Sequence, residues 1–78
     1  MSYTKLQIDN RIQAIHDRYS NFQSIIFQRQ DDSGIYLLAM ESDNQENYLR
    51  LTLTGRLYYH RDNEWRIVNN FIYRDLNE

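Results

Sequence analysis

The chain has 78 residues, no cysteine, no proline, a formal net charge of −2 and a 14% share of aromatic residues. One domain fits that length and buries roughly 60% of the surface its unfolded chain exposes; without thiols, neither disulfides nor thiolate metal sites can brace it, which leaves good packing, a second copy or a protein partner. The charge total announces neither a basic nucleic-acid binder nor an acidic mimic, and no apolar run approaches the ~20 residues of a membrane span.

Residues Thr4 to Tyr19 carry Ile8, Ile12, Ile15 and Tyr19 at helical spacing, one apolar stripe. Thr4 followed by Gln7 is a capping-box pair, and Tyr3 with Ile8 fits a hydrophobic staple. Lys5, Asp9, Arg11, Gln13 and Arg18 are expected mostly on the other faces, and Ser20-Asn21 is expected to end the helix.

Phe22 to Gln30 is rich in β-branched and aromatic residues and reads as a strand. Asp31-Asp32-Ser33-Gly34 is a turn with acids first and glycine last. Ile35 to Glu41 is apolar on both faces, as expected of a strand inside a sheet. A polar loop over Ser42 to Glu46 leads to Tyr48–Thr54, which sends Leu49, Leu51 and Leu53 one way and Tyr48, Arg50, Thr52 and Thr54 the other.

Gly55 has two readings, a hairpin turn or a bulge in one long strand. A three-residue loop Thr54-Gly55-Arg56 keeps Leu57 and Tyr59 on the leucine face, whereas a two-residue loop puts Arg56, Tyr58 and His60 there. The first is preferred because it buries the more apolar set. Arg61 to Glu64 is a turn, Trp65 and Ile67 are expected inward, and Asn69-Asn70 interrupts the strand before Phe71-Ile72-Tyr73. Asp75 to Glu78 is expected to fray.

The expected fold class is α+β: one N-terminal amphipathic helix packed on a four- or five-stranded antiparallel meander sheet, in two layers. It forms a single domain over residues 1–78, with the helix near 4–19 and strands near 22–30, 35–41, 47–54, 56–60 and 64–73.

No sequence pattern announces chemistry. Gly34 and Gly55 are far apart, and no His-Glu-x-x-His motif or nucleophile elbow is present. His16 flanks the apolar stripe, where a general base competes with an ordinary half-buried packing residue. His60 sits among Tyr58, Tyr59 and Arg61, where a pH-sensitive role competes with a solvated strand residue. No catalytic residue, metal site or cofactor is assigned, and no enzyme activity is expected. The run Asn63-Glu64-Trp65-Arg66-Ile67-Val68 resembles the last hairpin of nuclear-transport-factor-2-like domains, which are much longer; no residue role follows from that likeness.

Two surfaces are candidate binding sites. Tyr48, Arg50, Thr52, Tyr58, His60 and Arg66 are expected to share the sheet face away from the helix. Tyrosine and arginine are types in which interface energy concentrates, although strand propensity alone also puts Tyr, Thr and Arg on open faces. Asp31, Asp32, Asp43 and Glu46 form a candidate acidic edge that could meet a partner's arginines.

The expected function is a small non-enzymatic protein-interaction module, an inhibitor, adaptor or subunit, with a homodimer among its assemblies. Its composition is similar in kind to small acidic proteins of phages and mobile elements, which makes a host defence protein, one that handles nucleic acid, an expected target. The alternative is a single-stranded nucleic-acid-binding module on the Arg/Tyr face, against which stand the net charge and Lys5 as the only lysine; a small ligand-binding domain or enzyme comes third. The opening residues have no hydrophobic core of a signal peptide, so the expected location is cytoplasmic.

Overall fold

A computed structural model of the chain describes residues 2–42 and 45–74. Helix α1 (Lys5–Arg18) is followed by five strands, β1 (Phe22–Asp31), β2 (Gly34–Glu41), β3 (Glu46–Thr52), β4 (Arg56–Arg61) and β5 (Glu64–Ile72). They form one antiparallel sheet in the order β1-β2-β3-β4-β5, a meander with the helix on one face. The expected α+β fold is the observed one.

The helix starts where its capping chemistry dictates. The Gln7 amide donates to Thr4 Oγ1 at 3.2 Å, and the Thr4 amide donates to Gln7 Oε1 at 2.9 Å. Its end differs from expectation: Tyr19 is the cap, with φ −125°, and no left-handed asparagine follows it. The His16 ring donates from Nε2 to the Phe22 carbonyl at 2.9 Å, tying the helix end to β1; a carbonyl only accepts, so Nε2 carries the proton.

The stripe of Ile8 and Ile15 lies on a floor of Ile35, Leu37, Ala39, Leu49, Leu51, Leu57 and Phe71, all buried. Each fully buried leucine or isoleucine contributes about 1.5–3 kcal/mol relative to exposure. Ile12, Tyr19, Ile25, Phe27 and Tyr59 pack around this cluster half-buried.

Arg11 departs from its expected polar face and is 4% exposed. Its guanidinium lies 4.2 Å from the centre of the Tyr3 ring and 4.7 Å from that of Tyr73, and Nη1 donates to the Gln7 carbonyl at 2.9 Å. The rings come from opposite ends of the chain, so helical periodicity could not show them. Cation–π contact and the carbonyl together make burial of the charge tolerable.

The β3–β4 turn has three residues, as preferred, but they are Leu53-Thr54-Gly55. Leu51 pairs with Leu57 and Leu49 with Tyr59, so Leu57 and Tyr59 do face the helix. Leu53 does not join Leu49 and Leu51: it sits in the turn, 50% exposed. Gly55 has φ +87°, and a Cβ there would collide with the Tyr73 carbonyl oxygen. The Tyr73 amide donates to the Gly55 carbonyl at 2.9 Å, which joins the turn to the end of the chain.

The largest correction concerns β5. Asp62 and Asn63 both have positive φ, 54° and 63°, and form a two-residue turn that pairs Arg61 with Glu64. That turn fixes the phase: His60 opposes Trp65, Tyr59 opposes Arg66 and Tyr58 opposes Ile67. Directly opposed residues share a face. Trp65 and Ile67 therefore point away from the helix, and Arg66 lies on the Tyr59 side. Nor does Asn69-Asn70 end the strand. Between the Tyr58–Ile67 and Arg56–Ile72 pairs, β5 carries four residues (68–71) against Leu57 alone, with Asn70 at φ 68°. This irregularity returns Phe71 to the core, where it is 6% exposed.

Candidate functional site

The face of the sheet away from α1 is built by register. Arg29 opposes Tyr36, Tyr36 opposes Arg50, Arg50 opposes Tyr58 and Tyr58 opposes Ile67, one row that crosses all five strands. Ile26, Leu38 and Tyr48 form the neighbouring row, and His60 with Trp65 lies beside it. Ile26, Tyr48, Trp65, Ile67 and Ile72 on this face are between 36% and 51% exposed. Isolated exposed apolar side chains are ordinary, but here they adjoin.

Two guanidiniums lie on rings within the first row. The Arg29 guanidinium is 3.8 Å from the Tyr36 centroid, and that of Arg50 is 5.0 Å from both Tyr58 and Trp65. Trp65 meets Tyr36 edge-on at 6.0 Å and His60 at 5.0 Å. Gln28, Arg29, Tyr36, Tyr48, His60 and Trp65 line a shallow basin of about 310 Å³ at this centre.

The two arginines differ in their partners. Arg29 Nη1 bonds Asp31 Oδ2 at 2.9 Å across an exposed edge. Asp31 also accepts from the Ser33 amide at 2.8 Å. That amide is the main cause holding the Asp31 carboxyl below its ordinary value; slight desolvation opposes it, and Arg29 and Tyr36 add to the lowering. Arg50 faces no carboxylate among the described residues, and its buried Nε has no hydrogen-bond acceptor among them. Such a donor costs about 1–3 kcal/mol.

Of the residues expected on this face, Tyr48, Arg50, Thr52, Tyr58 and His60 are there. Arg66 is not; it lies across the sheet, 3.7 Å from Asp62 and 3.5 Å from Glu64. Sequence reading missed Arg29, Tyr36 and Trp65 as members of the face. For Trp65 a signal existed, because a two-residue loop with positive φ at both positions is a common hairpin closure that sets the phase of the next strand. For Arg29 none did, since its partner depends on the β1–β2 register, which shifts between Phe27 and Arg29.

The acidic edge is not one cluster. Asp31 opposes Gly34 at one end of β2, while Glu46 opposes Met40 near the other. That is about 20 Å along the strand at ~3.4 Å per residue. Asp43 lies outside the described residues. No group of three or more His, Cys, Asp or Glu among the described residues could hold a metal ion, and no helix among them is long and apolar enough to cross a membrane. No protein-family model, curated protein or solved structure matches the chain.

Proposed function

We propose that this chain is a non-enzymatic protein-interaction module that docks a partner on the open face of its sheet. The observation that carries the reading is the position of Trp65 beside Tyr36, Tyr58 and Arg50, on the face the helix leaves open. Trp, Tyr and Arg are the side chains in which binding energy concentrates, because each removes a large rigid surface from water while keeping a polar handle. Five strands about 4.8 Å apart and about seven residues long give a face of roughly 24 by 24 Å, comparable to the ~800 Å² that one partner contributes to an ordinary interface. An inhibitor, adaptor or subunit uses such a face in the same way. A host defence protein, blocked by an inhibitor that a phage or mobile element encodes, is the partner class its composition suggests.

Single-stranded nucleic acid is the second reading, favoured by the guanidiniums stacked on Tyr36, Tyr58 and Trp65. Against it stand the net charge of −2 and the aliphatic side chains of Ile26, Leu38, Ile67 and Ile72, which add no charge to meet phosphates. A photocrosslinking amino acid placed at Tyr48, and separately at Leu6 on the outside of α1, tests the proposal in cells. Protein adducts from position 48 that are absent from position 6 are expected. Equal labelling from both positions, or nucleic-acid adducts from position 48, would overturn it.

A further inference from the structure

We infer that the partner docked on this face presents a carboxylate side chain, set among apolar side chains, to Arg50. The inference rests on the docking reading above and names the chemistry of its occupant. Arg50 stands in the middle strand of the sheet, in the middle of the Arg29–Tyr36–Arg50–Tyr58–Ile67 row. The rings of Tyr58 and Trp65 each lie 5.0 Å from its guanidinium, and its Nε finds no acceptor among the described residues. A guanidinium beside two rings keeps its planar fork of donors, the shape a carboxylate meets with two parallel hydrogen bonds. Nη groups offer that fork end-on. Nε itself is buried, beside Trp65, which is 36% exposed.

Charge and surroundings select the class of partner. On this face the carboxylates of the described residues enter only at the rims, Asp31 at one corner and Glu46 at the far end of the sheet. Arg29 is already engaged by Asp31 and Arg56 stands out at the rim opposite Ile72, so the unanswered positive charge at the centre of the face is that of Arg50. One charge ringed by Tyr36, Tyr58 and Trp65, with Leu38 and Ile67 nearby, matches a single acid flanked by apolar residues better than a polyphosphate, which would also meet the rim carboxylates. A second copy laid face to face on a central two-fold axis would set Arg50 against its own image.

Selection of random 16-residue peptides displayed on phage, against the immobilised full chain, tests this. Enriched peptides are then synthesised with each Glu or Asp intact and with it replaced by Gln or Asn, and titrated while the Arg50 Nε–Hε and Trp65 indole N–H resonances are followed. Expected are peptides with an acid flanked by Leu, Ile or Phe, movement of both resonances, and roughly tenfold weaker binding on Glu→Gln replacement or with Arg50→Lys, which keeps the charge but not the fork. Arg66→Lys, across the sheet, is expected to leave affinity unchanged. Peptides that move the Trp65 indole with or without their acid, and leave Arg50 Nε–Hε in place, would overturn the carboxylate while leaving the docking face standing. Enriched peptides that move neither resonance would overturn both. Tighter binding of an oligothymidine than of any peptide, or a dimer in sedimentation that dissociates with Trp65→Ala, would replace the acidic protein with nucleic acid or a second copy.

Discussion

The two faces of the sheet are built by the same alternation and have opposite fates. Along β2, Ile35, Leu37 and Ala39 face the helix and are fully buried, while Tyr36, Leu38 and Met40, their immediate neighbours, are only half-buried on the open side. The helix face closes because α1 supplies Ile8 and Ile15 to meet it. The open face holds residues just as large, but nothing among the described residues covers them, and it is stocked with Trp, Tyr and Arg. Packing accounts for the first face entirely. The second is overbuilt for a surface meant only for water, which is the reason for reading it as a docking site.

The sharpest way to break that comparison is to truncate adjacent leucines. Leu37→Ala removes a fully buried side chain and is expected to cost about 2–5 kcal/mol, a large share of a small domain's stability. Leu38→Ala, one residue on and pointing the other way, is expected to cost under about 1.5 kcal/mol. Urea denaturation of the two variants measures both. Equal losses would mean that the open face is covered in solution, by a second copy or otherwise, and repeating the melt across protein concentrations would show a second copy directly.

Gly55 sets which residues fall on which face of β4, through a turn at φ +87°. Gly55→Ala forces a Cβ into a left-handed position against the Tyr73 carbonyl and is expected to destabilise by about 1–3 kcal/mol. A loss below ~0.5 kcal/mol in thermal melts would show that the turn rearranges freely and that the assignment of Leu57 and Tyr59 to the helix side does not depend on it.

How much of this was legible in advance follows from how local each cause is. The helix could be read because Thr4, Gln7 and the isoleucine spacing are all within it. Leu49, Leu51, Leu57, Tyr48, Arg50 and Tyr58 could be placed because one hairpin with a three-residue loop orders them. Trp65 and Arg66 could not be placed by apolar character. The tempting rule, that the larger apolar side chain goes inward, lost to two residues with positive φ at Asp62 and Asn63. Arg11 departs from the helical pattern for a different reason, because the rings that lie against its buried guanidinium belong to Tyr3 and Tyr73, far apart in sequence. The acidic edge dissolved because Asp31 and Glu46, close in sequence terms, are carried to opposite ends of β2 by the hairpins.

That β5 phase sets up a paired test. Trp65→Ala breaks ring contacts with His60 and Tyr36 and the Arg50 cation–π contact and is expected to cost about 1–2 kcal/mol in stability, yet to weaken partner binding by about 2 kcal/mol or more. Arg66→Ala, with an exposed side chain 3.5 Å from Glu64, is expected to change stability by less than about 0.5 kcal/mol and binding not at all. Denaturation paired with calorimetric titration of a selected peptide reads both quantities. A reversal, with Arg66 governing binding and Trp65 silent, would put the docking surface on the helix side.

The smallest expected effect is at the rim, where Asp31 engages Arg29. The Asp31 carboxyl is held below its ordinary value, first by the Ser33 amide and further by Arg29 and Tyr36. A folded-state value below the unfolded one means that ionised Asp31 stabilises the fold above the unfolded carboxylate pKa of about 3.9, and that this contribution fades as the pH falls through the folded value. The stability gap between the natural chain and Asp31→Asn is therefore expected to be constant from about pH 5 to 7 and to narrow below about pH 4. A gap that widened on acidification would reverse the sign assigned to Asp31. The same substitution also removes the acid that occupies Arg29, leaving a second guanidinium on the Tyr36 ring open to a partner's carboxylate. Acidic peptides selected on this face should then bind Asp31→Asn up to a few-fold more tightly at neutral pH, more so at low salt, whereas their glutamine forms should not notice the change. If both peptide forms respond alike, Arg29 is a packing residue of the turn and recognition at the centre of the face falls to Arg50 and Trp65 alone.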